Sequence, residues 1–343
     1  MWRYIIRRVV LFFATSLVMM AVLFIAASLF PVEKSYSLSG IEFPTPIQQI
    51  ELTQTYQLNG NLFNQFTAYL RERLSGNLGI SSNSQQSVAD ELMSVLPASF
   101  ELSLFAGALA LIFGVPLGVI ATLTKNKIVE TSILALTLTG YSVPVFWLGL
   151  TLSLWFGVNL GWLPIAGQIN LLYEIENITG FMLIDTLLSD SAFAMAAFED
   201  ALLHIILPGV TLAVLPFTTV IRITRQALQD VMTQTYIQAA EARGLSSRKI
   251  LLRHALPNAL IPVLKSFGLM LGSFAGYAIV VEVIFAWPGV GAWLVSGIYQ
   301  RDYTVIQGGI LSVSLLIIFL SIIIDLIYTA INPMSKKELY AAH

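Results

Sequence analysis

Six apolar stretches, each long enough to cross a bilayer, constrain this chain more than any motif it carries. They run about 9–30, 99–123, 132–158, 202–221, 259–281 and 305–331, and the middle of each is uncharged. A helix rises about 1.5 Å per residue, so about 20 apolar residues cover ~30 Å of hydrocarbon. Charged residues occupy only 11% of the 343 positions, against about 25% in soluble domains. Such a chain could not cover its own surface in water. The expected fold class is an all-α polytopic membrane protein with six transmembrane helices, a single transmembrane domain over 1–343. The wealth of apolar residues excludes disorder. A net charge of −2 gives no sign of a nucleic-acid partner. With no cysteine, disulfides, thiolate metal sites and cysteine nucleophiles are excluded.

The first stretch follows Arg3, Arg7 and Arg8, a basic flank that a secretory leader would share. Its 22 uncharged residues outrun the roughly 7–15 of a leader's apolar region, so an uncleaved first span is expected. Lys and Arg concentrate in cytoplasmic segments, which sets the orientation. With both termini inside, 13 of the 18 basic residues are cytoplasmic, Lys265 lies just within the fifth stretch and four lie outside. The periplasmic loops are then about 31–98 and 159–201. The second holds no Lys or Arg but six acids: Glu174, Glu176, Asp185, Asp190, Glu199 and Asp200. Its apolar residues, Leu171, Leu172 and Ile184 among them, suit either a lid over the span ends or a docking surface for an external partner.

The cytoplasmic loop at about 226–258 reads as a helix, a glycine turn and a second helix. Tyr236 to Arg243 is rich in Ala and Glu, which favour helix. Gly244 interrupts it, Ser246 and Ser247 can cap the next helix, and Pro257 is expected to close that helix. The unit combines a basic cluster with apolar positions that can pack against a partner. Ala239 and Ala240 are small enough for close approach, and Gly244 permits a turn that a Cβ would resist.

The spacing here is Gln238-Ala239-Ala240, three residues, Gly244, nine residues, His254, one residue, Leu256-Pro257. It resembles the Glu-Ala-Ala ("EAA") loop of ABC importer permeases, with Gln238 in place of Glu and His254 in place of Ile. Further stretches are similar to the dipeptide/oligopeptide branch of that family. They are 161–167 (Gly-Trp-Leu-Pro-Ile-Ala-Gly), 204–208 (His-Ile-Ile-Leu-Pro), 282–291 (Glu-Val-Ile-Phe-Ala-Trp-Pro-Gly-Val-Gly) and Arg301-Asp302-Tyr303. The ending Asp325-Leu326-Ile327-Tyr328 with Asn332-Pro333 matches as well.

The resemblance covers essentially the whole chain. It implies the type I ABC importer permease (MetI-like) fold in a bacterial inner membrane, with N- and C-termini cytoplasmic. It also implies four kinds of contact: a second permease subunit in a heterodimer, two ABC ATPase subunits, a periplasmic solute-binding protein and the lipid bilayer. No cofactor of its own is implied, since ATP is bound by the partner subunits. The implied cargo is peptides, cationic antimicrobial peptides included. Putrescine or haem carried by the same machinery is the alternative, and a stand-alone secondary carrier is a further one. By resemblance the ATPase-coupling residues are Gln238, Ala239, Ala240, Gly244, Leu256 and Pro257.

Single residues add expectations. Glu101, Lys265, Glu282, Asp325 and His204 lie near span ends, where side chains can snorkel to the interface. Asp325 is expected to form a structural ion pair with Arg222 or Arg225. Gly268, Gly272 and Gly276 form small-xxx-small steps suited to helix packing or to a pore-side interface with the second permease. Gly114 and Gly118 form another. Pro144 and Pro208 are expected to kink spans three and four. The uncharged span centres argue against a proton-coupled carrier. There is no Walker A, His-Glu-x-x-His or Gly-x-Ser-x-Gly pattern, and His204, His254 and His343 lie far apart. No catalytic residue or metal ligand is therefore assigned, which leaves an intramembrane hydrolase as the runner-up from another class.

Overall fold

The computed structural model describes residues 2–29 and 32–331. Their regular structure is helical apart from one isolated bridge between Ile80 and Ser87. The first span is α1 (Trp2–Leu29). The loop after it folds into α2 (Lys34–Ser39), α3 (Pro46–Thr55) and α4 (Leu62–Leu74). The second span is α5 (Val88–Leu123). The third is broken into α6 (Lys127–Ser142) and α7 (Val145–Leu152), and a π turn over Ser153–Asn159 follows. The short α8 (Met182–Leu188) precedes the fourth span, α9 (Ala194–Met232). Next come α10 (Thr235–Ala242), α11 (Ser247–Ile250) and the fifth span, α12 (Leu256–Ile284). Finally α13 (Val290–Tyr299) leads to the sixth span, α14 (Tyr303–Ile331). Asn332, Pro333, Lys336, Lys337 and His343 lie outside the described residues.

The central helix is α9. At 39 residues it is about 58 Å long, well beyond the bilayer core. Its most apolar stretch is 61% buried, against 17% for the fifth span and 6% for α14. The fifth and sixth spans therefore present most of their surface to lipid or to other subunits. The tightest contact with α9 is made by α5 through Gly114 and Gly118. A Cβ at Gly118 would come within 2.7 Å of Thr224 Cβ and 2.8 Å of the Ile221 carbonyl oxygen. Among the described residues, only Gly268 of the three-glycine stripe on α12 has a close packing neighbour, Ile324; a Cβ at Gly272 or Gly276 would meet none of them within 4 Å.

Three expectations are corrected. The third span is not one gently kinked helix: α6 and α7 meet at 103°. Pro144 lacks an N–H and forces Val143 before it into extended backbone, so the ladder stops there. Pro208, by contrast, lies inside an unbroken α9.

Pro257 does not close a helix but stands in the first turn of α12, inside a helical run that continues from Ser247 to Ile284. A π turn over Leu251–Ala255 joins α12 to α11.

The ion pair of Asp325 is made with Arg8, at 2.7 Å, while Arg225 pairs with Glu130 at 2.6 Å. The neighbours of α14 include α1, and those of α9 include α6. Each charge thus finds the opposite one on the helix beside it, and Arg222 stays exposed. A double-mutant cycle on purified protein should show coupling between Arg8 and Asp325 and none between Arg222 and Asp325. The pair is only half-buried, so a coupling of about 1 kcal/mol or less is expected.

Candidate functional site

One end of the bundle is basic. There α9 runs on past the span and stops at Met232, and the chain turns back through α10. Ile237 and Ala240 of α10 are buried against Ala227 and Leu228 of α9, Ile250, Ala255 and Ala259. α10 ends in a paired cap: Gly244 N–H donates to the Glu241 carbonyl and Leu245 N–H to the Ala240 carbonyl. That closure needs a left-handed residue at Gly244, whose φ is +76°.

The structure sorts the sequence candidates into two groups. Gln238, Ala239 and Gly244 are exposed together with Glu241 and Arg243. Ala240 is turned inward and holds the hairpin to α9 and α12, so of the two alanines only Ala239 is open to a partner. Leu256 is half-buried and Pro257 exposed at the start of α12. The two strips are tied by Asn258 Nδ2 donating to Tyr236 Oη at 3.2 Å. Arg243, Arg248, Lys249 and Arg253 are all exposed. The result is a positively charged knob with a small-residue surface, packed on α9 and on the start of α12.

The opposite, acidic end is built on buried carboxylates, two of which, Glu101 and Glu282, the sequence analysis placed at the interface. Glu282 is 1% exposed. It accepts from the backbone N–H of Gly291 (2.6 Å) and Ala292 (3.1 Å), capping α13, and from Ser99 Oγ (2.6 Å). Glu101 likewise accepts from the N–H of Leu183 (2.8 Å) and Met182 (3.3 Å) at the start of α8. Asp185 accepts from the N–H of Thr179 and Gly180 at 2.8 and 2.9 Å. Asp302 accepts from Ser81 Oγ at 2.7 Å and Val305 N–H at 3.1 Å. These groups do not snorkel. They bind loops to span ends, so the segment at 159–201 is fastened rather than loose. His204 is also buried, with Nδ1 2.8 Å from the Asp200 carbonyl oxygen. Lys265 is the exposed exception, its Nζ 5.3 Å from the Tyr328 ring centroid. Trp287 completes the clamp: its Nε1–H donates to the Ala98 carbonyl at 2.9 Å. No three His, Asp or Glu among the described residues are placed to hold a metal ion.

Comparison with known proteins agrees with this arrangement. A family model described as "binding-protein-dependent transport system inner membrane component" matches residues 114–337. The di/tripeptide transport system permease protein DppB of Pseudomonas aeruginosa (strain UCBPP-PA14) is 40% identical over 338 residues, 98% of this chain and 100% of that protein. The putrescine export system permease protein SapB of Escherichia coli (strain K12) is 42% identical over 281 residues, 82% of this chain and 88% of that one. The peptide transport system permease protein SapB of Salmonella typhimurium is 41% identical over the same length. Among solved structures, an inward-facing form of the MetNI methionine ABC transporter shares the fold, with a TM-score of 0.53 at 18% identity, over 71% of this chain and 96% of that one. The chain therefore belongs to the family of binding-protein-dependent transport system inner membrane components, as a multi-pass permease subunit of an ABC transporter.

Proposed function

We propose that this chain is one of two permeases that form, as a heterodimer, an inner-membrane path for short peptides. Two ATPase subunits bind ATP on the cytoplasmic side and a solute-binding protein delivers cargo from the periplasm. The chain itself performs no catalysis and holds no cofactor. The basic end faces the cytoplasm and both termini lie there. The observation that carries this reading is the match, at 40% identity over 98% of the chain, to a relative named for di- and tripeptide transport. Two features support it. The exposed face of Gln238, Ala239 and Gly244 offers a contact for an ATPase, and the open face of Gly272 and Gly276 offers one for a second permease.

The test is transport by the assembled transporter in proteoliposomes. ATP-dependent uptake of trialanine is expected, with none when either ATPase is omitted. Uptake by this chain alone, driven by an ion gradient without ATP, would show a secondary carrier instead. A second reading, movement of putrescine, draws on the name of the Escherichia coli relative and on the six acids, unrelieved by any base, of the segment at 159–201. It is favoured if putrescine crosses in an ATP-dependent manner and trialanine does not; haem is assayed in the same vesicles.

A further inference from the structure

The third span breaks where a membrane protein can least tolerate it. Val143 and Pro144, between α6 and α7, are both extended, with ψ 125° and 132°. The depth of the break follows from what packs on either side. A Cβ at Gly140 would meet Thr218 and Val214 of α9, and one at Gly149 would meet Thr211 of α9 together with Ile284 and Phe285 at the end of the fifth span. The three α9 residues fall within the apolar stretch at about 202–221 that crosses the bilayer, so the break lies inside the hydrocarbon rather than at either surface.

The break also strands backbone groups. The carbonyls of Gly140, Tyr141, Ser142 and Val143 have no hydrogen-bond partner among the described residues, nor do the N–H groups of Val145, Phe146 and Trp147. Pro144 cannot donate, and the first bond across the turn is Leu148 N–H to the Pro144 carbonyl at 3.0 Å. Irregular backbone at this depth persists only where it is covered by protein or lines a water-filled cavity. An open groove of about 610 Å³ runs along the break on the surface of the chain, lined by Leu138, Thr139, Ser142, Pro144, Phe146 and Trp147. Tyr141, Phe146 and Trp147 are more than half exposed on this side of the chain.

Four free carbonyls followed by three free N–H groups match the chemistry of another polypeptide main chain, which carries the same donors and acceptors. The aromatic rings beside them accept apolar side chains of varied shape. In transporters generally, an interrupted span near the midplane marks where substrate sits. We propose that the break at Val143 and Pro144 is the cargo site of this permease, holding a short peptide by its main chain. This rests on the peptide reading above. It explains how one site accepts many peptide sequences, because the recognised groups are common to all of them.

This chain has no cysteine, so thiol labelling is read on its own band after the subunits are separated. Ser142→Cys and Phe146→Cys are placed singly in the assembled transporter in proteoliposomes with binding protein and ATP. Val18→Cys, on the exposed side of α1, serves as the lipid-facing control. A membrane-impermeant charged maleimide is expected to label the two site thiols but not position 18. Trialanine at a concentration that fills the site to ~90% should slow that labelling about tenfold, while its N-methylated counterpart should not. Labelling by lipid-soluble maleimide only, by neither reagent, or without protection by trialanine would overturn the site. Trialanine uptake by the unsubstituted transporter separates the two ideas. If uptake persists without protection, only the site falls; if no peptide is carried, the peptide reading falls with it.

Discussion

Glu282→Ala is expected to leave little or no folded permease in the membrane. The Glu282 carboxyl takes the N–H groups of Gly291 and Ala292, and Ser99 Oγ, itself donating to Glu282, takes the N–H of Val290 at 2.8 Å. The whole first turn of α13 is thus satisfied by two side chains, one from the fifth span and one from the second. Alanine leaves these donors without their acceptor in a site that is 1% exposed at Glu282. An unsatisfied buried donor costs about 1–3 kcal/mol. Three of them sum to roughly 5 kcal/mol, a large share of the ~5–15 kcal/mol that holds a typical domain together. Glu282→Gln keeps one acceptor oxygen and should fall between. Ser99→Ala should cost less, since the carboxyl can still take the two N–H groups of Gly291 and Ala292. Thermal unfolding and protease resistance in detergent report the order: wild type, Ser99→Ala, Glu282→Gln, Glu282→Ala. A Glu282→Ala protein as stable as wild type would remove the clamp from the argument.

That clamp was invisible in the sequence for a physical reason. A carboxylate at the end of an apolar run is equally compatible with snorkelling into water and with capping a buried helix. The choice depends on partners far along the chain, with Ser99 183 positions from Glu282 and Leu183 82 from Glu101. One local signal was available. Trp287-Pro288-Gly289, which begins five positions after Glu282, announces a turn and a new helix, whose first N–H groups need an acceptor. The ion pairs failed for a related reason. An Asp at the end of an apolar run needs an opposite charge, but whether that is Arg8 or Arg225 depends on which helix stands beside which, and this is decided by packing of the whole bundle. The same holds for the third span: Pro144 signalled a bend, yet its size depends on what α9 offers on each side of it.

What was legible rests on short-range chemistry. The number and length of apolar stretches follow from the cost of burying charge. The Gly244 turn follows from φ. The role of Gly244 is therefore where sequence and structure can be tested together, with the isosteric pair Gly244→Asn and Gly244→Asp. A Cβ at Gly244 meets nothing within 4 Å, so the internal cost of a side chain comes only from φ +76°. Asn and Asp are the two non-glycine residues that most readily adopt that conformation, and each should cost on the order of 1 kcal/mol. Both variants should insert and reach near-normal levels. They differ in charge alone. If Gly244 sits in a groove of the ATPase, a carboxylate placed there is desolvated on binding, at a cost of roughly 2–3 kcal/mol, or ~30–150-fold in affinity. Gly244→Asn should then keep most ATPase association and transport, and Gly244→Asp should lose both while remaining folded. Ala240→Glu gives the contrasting defect. Its side chain would enter the core of the hairpin beside Leu228 and Ile250, so it should lower yield before it affects association. Co-purification of the ATPase with each variant, normalised to permease present, separates the cases. Full association and transport in Gly244→Asp would show that the ATPase does not seat on this turn.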